Sequence, residues 1–398
     1  MTIYIIRRFF QSLLFVLLAS LLVYTGVIMW MPTGPKWRYD RLVTEFRAIM
    51  STQGIDPATF PQGPDLDRIT SIWKVDRPWP VNFFIWLFDP SATTQLDENA
   101  QPVPKGIDLT IGGWHIQGSG ILTGDFGGST STSRGAPIGE LIAGKAGNTL
   151  LLVSVSLVLS FLIAIPVGVV GAVRKDSKFS HALTFITIAG RSIPPFAFGL
   201  TLVLLLAVVP YQLNHTYGWT WMPYLPPSEP YDDGQEGDWV NRIYHLVLPA
   251  ITLSVIQVVW IARFVRSTLL DVLTQDYIRT ARAKGLSSWR VIYKHALRNA
   301  LIPLITIIGL LLPGLISGAV IVEQVFSYEG LGMLYYRALG GSFTTSGLNP
   351  DTVPPPIGYP LDFPLVMVMT IMLIAVVAFS NMLADILYAF ADPRVNYS

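Results

Sequence analysis

The segment Gly139-Glu140-Leu141-Ile142-Ala143-Gly144-Lys145-Ala146 nearly spells a phosphate-binding loop. That chemistry needs a Ser or Thr after the lysine to hold Mg²⁺, and a strand ahead of the loop. Here Ala146 fills the position and an apolar run follows at once, so no ATP site is expected in this chain. The five histidines, at 115, 181, 215, 245 and 295, include no pair at i, i+4 and no His-Glu motif. A metal-centred intramembrane enzyme is therefore not expected, and no metal site is assigned. Cysteine is absent, which excludes thiol catalysis, disulfides and cysteine metal sites. Three ionisable residues stand in apolar surroundings and are functional candidates by default: Arg191, Glu323 and Asp385. Arg191 either lines a pathway or lies at the interface where a span begins near Ile193. Glu323 either influences a gate or makes a hydrogen bond at a helix end. Asp385 reads as a packing or interface residue. No nucleophile–base or carboxylate pair is evident, so catalytic residues are not assigned.

A second kind of chemistry is electrostatic. Between Arg263 and Arg298 there are eight Lys/Arg against two acids. Asp276 to Lys284 suits a helix, and Gly285 suits its left-handed C-terminal stop. Ser287 or Ser288 can cap a second helix running to Pro303. On that helix Trp289, Ile292, Tyr293, Ala296 and Ala300 are expected to share one side. Arg290, Lys294 and Arg298 recur every four residues as a basic stripe. Two short helices around a glycine make a stiff protrusion that transmits force. The same pattern also fits a basic amphipathic helix lying on anionic lipid. A nucleic-acid reading is weak, because one stripe between two apolar runs is not a DNA-binding fold.

The elements that must position this loop are apolar. The chain has 398 residues, of which 51% are hydrophobic and 13% charged, with mean hydropathy +0.49. A soluble protein would carry roughly 25% charged residues. About 20 apolar residues cross a hydrocarbon core as a helix. Six candidate spans follow: Phe9 to Trp30, Thr149 to Val173, Ala182 to Val209, Leu246 to Arg266, Leu304 to Val322 and Phe363 to Leu387. The first is read as an anchor, since it is too long for a signal-peptide core and Trp30-Met31-Pro32 is no small-residue cleavage site. Pro166, Pro194 and Pro195 are expected to kink spans, and Gly314 and Gly318 to mark close helix contact rather than a conduit.

Loop charge predicts orientation. Arg174 to Lys178 holds three basic residues and one acid, whereas Tyr211 to His245 holds five acids and one Arg. Basic short loops stay cytoplasmic, which places both termini in the cytoplasm and residues 31–145 outside. Within that external segment Asp40 to Met50 fits a short helix with Leu42, Phe46, Ile49 and Met50 on one side. Ile107 to Ile111, then Gly112-Gly113, then Trp114 to Ile116 alternates like a small hairpin. Gly127 to Gly135 looks like a connector. Trp73, Trp79, Trp86 and Trp114 are expected to pack a small external domain, the alternative being contact with ligand or binding protein. The expected fold class is an all-α polytopic membrane protein with six transmembrane helices and an enlarged external (periplasmic) segment. Its parts are residues 1–30, residues 31–145, and a five-helix core at 146–398 carrying the 271–302 loop.

Asp276 to Leu286, followed by Lys294-His295-Ala296-Leu297-Arg298-Asn299-Ala300-Leu301-Ile302-Pro303, closely resembles the coupling loop of bacterial ABC importer permeases. In particular it looks like the dipeptide/oligopeptide/nickel branch, where Arg279-Thr280-Ala281 replaces the general Glu-Ala-Ala. Val75 to Pro78, Phe84 to Leu87, Gly124 to Ser129, Ile193 to Phe196, His245 to Ser254, Val322 to Phe326, Asp362 to Val366, and the tail Asp385 to Tyr388 with Asp392 to Arg394 are similar as well. Phe88 to Gly118 and Gly340 to Tyr359 look like external insertions. Glu329-Gly330 stands where the family usually has Pro-Gly, and Gly147-Asn148-Thr149 where it has Arg-Leu-Pro-x-Thr.

The resemblance implies a permease subunit in the bacterial plasma (inner) membrane, with no enzymatic activity or cofactor of its own. ATP and Mg would be bound by two separate ATP-binding subunits. An external substrate-binding protein, a second homologous permease subunit and membrane lipid complete the partners, with no nucleic acid. Arg279, Ala281, Lys284 and Gly285 at the turn, supported by Arg282, Lys294, His295 and Arg298, would couple to the ATPase. Arg191 and Glu323 remain pathway or gate candidates. Peptides lead as substrate, and the resemblance also admits nickel chelates and oligosaccharides. A membrane sensor or an intramembrane enzyme is the competing class.

Overall fold

The computed structural model describes residues 2–30, 107–111, 114–118, 126, 136–190, 193–218, 225–226, 229–232, 234–235, 237–340 and 362–391. Helix dominates because the apolar runs leave the backbone no other way to satisfy its own hydrogen bonds in lipid. Helix α1 is Thr2–Trp30. Strands β1 (Ile107–Ile111) and β2 (Trp114–Gly118) pair antiparallel, with Ile107 opposite Gly118 and Ile111 opposite Trp114. The hairpin expected from period-two alternation is therefore present. Then come α2 (Ile138–Val173), α3 (Lys178–Gly190) and α4 (Pro195–Tyr217). They are followed by α5 (Trp239–Leu273), α6 (Asp276–Ala283) and α7 (288–300). The last three are α8 (Ile302–Val325), α9 (Leu331–Ala338) and α10 (Phe363–Ala391). The expected helix at 40–50, the connector at 127–135, and Trp73, Trp79 and Trp86 lie outside the described residues.

Among the described residues five helices are long and apolar enough to cross a membrane: Tyr4–Val23, Ile138–Val173, Pro195–Tyr217, Trp239–Leu273 and Leu365–Leu387. The fifth expected span falls within the 24-residue α8, whose described apolar part is Gly314–Val325. The third expected span, Ala182 to Val209, is corrected. The chain stops helix α3 at Gly190, and Pro195 opens α4 behind an extended Pro194 (φ −60°, ψ 140°). A proline pair belongs at a helix start, where the missing N–H costs nothing. Pro194 and Pro195 thus initiate a span rather than kink one, whereas Pro166 does lie inside α2.

The described residues divide between two compact units, one drawn from 1–12, 142–358 and 375–398, the other from 13–141 and 359–374. In the second, Leu365, Met367, Val368 and Met369 are buried, and the Asp362 carboxylate accepts the Leu365 N–H at 3.4 Å, capping α10. The functional residues sit in the first unit. There α5 is the hub, with α3, α4, α7 and α8 packed on it. It starts at Asp238, whose side chain accepts from the Val240 N–H.

Helices α2 and α5 cross closely, because an added Cβ at Gly168 would stand 2.7 Å from the Ala262 carbonyl oxygen and 2.8 Å from Val265 Cβ. Lipid supplies no hydrophobic drive for helix association, so such close backbone packing carries it. Gly171 supports the same crossing: its carbonyl accepts from Arg266 Nε at 3.2 Å and Ser180 Oγ at 3.0 Å. Gly168→Leu is expected to lower the thermal stability of the detergent-purified protein by about 2–3 kcal/mol, the cost of overpacking a closed core. An unchanged unfolding temperature would show that the crossing tolerates a side chain.

Candidate functional site

The loop between α5 and α8 folds on its own local signals. Helix α6 ends at Ala283, and Gly285 adopts φ +75°. The Gly285 N–H donates to Arg282 O at 2.9 Å, and the Leu286 N–H donates to Ala281 O at 3.4 Å. These two bonds form the left-handed helix stop that glycine favours. The second helix begins at 288, and Leu301 separates it from α8, with Pro303 in the first turn of the span. Asn299 Nδ2 bonds the Tyr277 hydroxyl at 3.0 Å and His295 O at 3.1 Å, tying the two short helices together.

The five residues expected to share one side of α7 are split, with Ala296 and Ala300 buried and Ile292 half-buried. Val291, Ala296, Leu297 and Ala300 are buried, while Trp289 is 66% and Tyr293 37% exposed. The cause is that Arg290–Leu297 is π-helical. Its i→i+5 bonding widens each turn, so positions spaced by α-helical rules rotate off the packed side. Trp289 and Tyr293 still adjoin each other, with ring centroids 3.7 Å apart.

Ile278 and Ala281 of α6 join those α7 residues in one core with Ala164, Val169 and Ala172 of α2 and Ile261, Ala262, Val265 and Leu269 of α5. Force applied to the loop therefore meets the spans directly. Ala281, 8% exposed, packs in this core, and it also supplies the carbonyl that closes the turn. His295 is half-buried. Arg279, Arg282, Lys284, Gly285, Lys294 and Arg298 are exposed, together with Arg290. Arg279 is restrained only by Asp276 on its own helix, at 3.4 Å. The loop offers a cationic surface with an aromatic pair on a rigid base.

At the N-terminal end of α2 a second cluster forms. Glu323 is fully buried and its carboxyl group accepts the Thr149 hydroxyl at 2.6 Å and the Met333 N–H at 3.0 Å. It also accepts from the Gly332 N–H. Thr149 Oγ1 in turn accepts the Leu331 N–H at 2.8 Å. Together they satisfy the first amides of α9, the four-group debt that every helix start carries. Of the two roles considered for Glu323, the helix-end bond is the one observed. Gly330 is required because any Cβ there would run into the Glu323 carboxyl and Thr149 Oγ1.

Nearby, Lys145 and Arg337 both pair with Glu329, and Asn148 Nδ2 bonds Glu329 O at 2.8 Å. The Lys145 that resembled a phosphate-loop lysine thus has a structural partner. Burial pushes the Glu329 carboxyl up, but the Lys145 hydrogen bond and the Lys145 and Arg337 charges outweigh it and hold the group below its usual range. Burial pushes the Tyr328 hydroxyl up to about 12, which keeps it neutral at physiological pH. A carboxyl with a depressed folded pKa stabilises the fold above the ordinary glutamate range, and that contribution is lost as pH falls through the folded value. Because both ion-pair partners are about a third exposed, the pair is worth less than about 1 kcal/mol. Acidification below pH 4.5, the usual glutamate value, is expected to lower the wild-type unfolding temperature more than that of Lys145→Met. Identical pH profiles would remove the assigned role.

The acidic segment before α5 is anchored by His245, a contact with no sequence signature. Its Nδ1 lies 3.1 Å from Glu229 O and its Nε2 3.2 Å from Asp232 Oδ1. Asp385 pairs with Arg8 Nε at 3.3 Å, tying α10 to α1. Arg191 lies outside the described residues. Among the described residues no three His, Cys, Asp or Glu gather as a metal site. A cavity of about 740 Å³ opens between α5 and α8, bounded also by Pro195. A Cβ added at Gly318 would stand 3.1 Å from Leu253 Cδ1, as expected of a close contact, but one added at Gly314 would meet nothing within 4 Å, and Gly314 lines this cavity.

Residues 164–397, more than half of the chain, match the family of binding-protein-dependent transport system inner membrane components. The oligopeptide transport system permease protein AppB of Bacillus subtilis is 41% identical over 277 residues, covering 70% of this chain and 78% of that protein. The dipeptide transport system permease protein DppB of Escherichia coli is 33% identical over 288 residues, with the same coverage of both chains. Among solved structures, the inward-facing MetNI methionine ABC transporter aligns with 63% of this chain and 96% of its own at 20% identity and TM-score 0.46. The chain belongs to the binding-protein-dependent transport system inner membrane component family, as a multi-pass permease subunit of an ATP-binding cassette importer whose ATPase activity resides in separate subunits.

Proposed function

We propose that this chain forms half of the translocation pathway of a peptide importer. An external binding protein delivers the peptide, and two ATP-binding subunits, holding ATP and Mg, dock on the 271–302 loop. The observation that carries the coupling role is the bedding of α6 and α7 in one core with α2 and α5, while their cationic residues stay exposed. Closure of the ATPases would push this rigid element and tilt the spans to which it is packed. The names of the relatives, an oligopeptide and a dipeptide permease, support peptides as the cargo. The basic loop placed in the cytoplasm puts both termini there as well. A second, homologous permease completes the pathway as a heterodimer.

Affinity purification of the tagged chain from its native membrane, followed by mass spectrometry, tests this reading. A P-loop ATPase and a second permease are expected to co-purify. Substituting Arg282 and Lys284 together by Glu is expected to release the ATPase while leaving the second permease bound. Retention of the ATPase by that variant would overturn the docking site.

A further inference from the structure

The cavity between α5 and α8 is walled by Leu253, Ile256, Trp260, Leu311 and Ile321, with no charged side chain among its described lining residues. Its volume, about 740 Å³, falls within the range of small-ligand sites. Three of its residues are polar. Thr252 bonds the Leu248 carbonyl of its own helix at 2.8 Å, and Ser317 bonds Gly314 O at 3.1 Å. Gln257 is different. The residue is 8% exposed, lies near the midpoint of α5, and lines the cavity with an amide that no described residue takes as a hydrogen-bond partner. An amide that opens on a cavity and is not taken up by the protein itself is available to pair with whatever enters.

On the reading that the chain moves peptides, we propose that this cavity is a peptide-contact section of the pathway and that Gln257 reads the peptide backbone. The primary amide offers one acceptor and two donors, the complement of a peptide N–H and C=O. Those groups are the same in every peptide, so one amide serves cargo of any side-chain sequence. The described lining residues carry no charge and so add no strong fixed attraction, and a single neutral bond lets the cargo leave, as conduction requires. Room for the peptide comes from α8, where Gly314 has no atom within 4 Å of a would-be Cβ.

The test uses the complete transporter, with its ATPases, second permease and binding protein, in ATP-loaded proteoliposomes. Uptake of trialanine is compared with that of trialanine methylated at its amide nitrogens. In Gln257→Leu the preference for the unmethylated peptide is expected to shrink by about three- to tenfold relative to wild type, the worth of one neutral hydrogen bond. A merely structural defect would lower both uptakes alike, and an unchanged preference overturns the assignment. Gly314→Phe should fill the cavity and stop uptake of both, whereas normal uptake through that variant also overturns it. Should Gln257→Leu fail to assemble, Gln257→Cys in this cysteine-free chain can be labelled with a maleimide. Slower labelling during trialanine transport supports the contact, and an unchanged rate refutes it. If the wild-type transporter imports another solute but no peptide, the peptide reading fails and the inference falls with it.

Discussion

Valine at Gly285 is expected to abolish peptide uptake by the assembled transporter while ATP hydrolysis continues. Gly285 holds φ +75°, and an added Cβ there meets nothing within 4 Å. The penalty is therefore conformational rather than steric, about 1–2 kcal/mol for an L-residue forced into the left-handed region. That is too little to dislodge Ile278, Val291 and Ala296, which are each at most 1% exposed. It is enough to favour a different turn, because the two bonds from Gly285 and Leu286 that close it are weak and local. Lys284 would then leave its position relative to Lys294 and Arg298 on the second helix. Under the docking reading, the ATPase would still bind and turn over but push on a turn that yields. Uptake and ATP hydrolysis measured in one proteoliposome preparation decide the matter. Wild-type uptake by Gly285→Val would sink the coupling role of the turn, and Gly285→Ala should fall between the two.

The largest effect on stability is expected from Glu323→Leu. The substitution leaves the Thr149 hydroxyl and the Met333 and Gly332 amides without their acceptor in a fully buried site. Each orphaned donor costs about 1–3 kcal/mol, so a total loss of several kcal/mol is expected. That is a large share of the stability of an ordinary domain, and most of the protein should fail to reach a monodisperse state in detergent. Glu323→Gln keeps one acceptor oxygen but turns an amide donor toward an existing donor, so it should be impaired less than Glu323→Leu. Gel-filtration profiles and unfolding temperatures of the two variants provide the check. Were both variants as stable as wild type and defective only in transport, a gating role for Glu323 would replace the capping one.

The sequence by itself determined the membrane class, apolar runs that fall within five of the long helices, the hairpin at 107–118 and the glycine-centred loop. Each of these rests on short-range physics. Apolar length sets a span, period-two alternation sets a strand, and a glycine after a helix sets a left-handed stop. Tertiary structure decided the rest. The buried side of α7 rotated away from Trp289 and Tyr293 because the helix is wound with wider turns, and no α-helical periodicity encodes that. The third span began four residues after Arg191, since the proline pair opened a new helix instead of bending an old one. Thr149 and Glu323 lie 174 positions apart, and Lys145 and Glu329 lie 184 apart, so no local pattern could pair them. The packing of α5 against α8 alone put Gln257 in the wall of a cavity. Local backbone preferences act over one or two turns of helix, whereas a partner, a cavity wall or a buried face is set by whichever distant segment packs there.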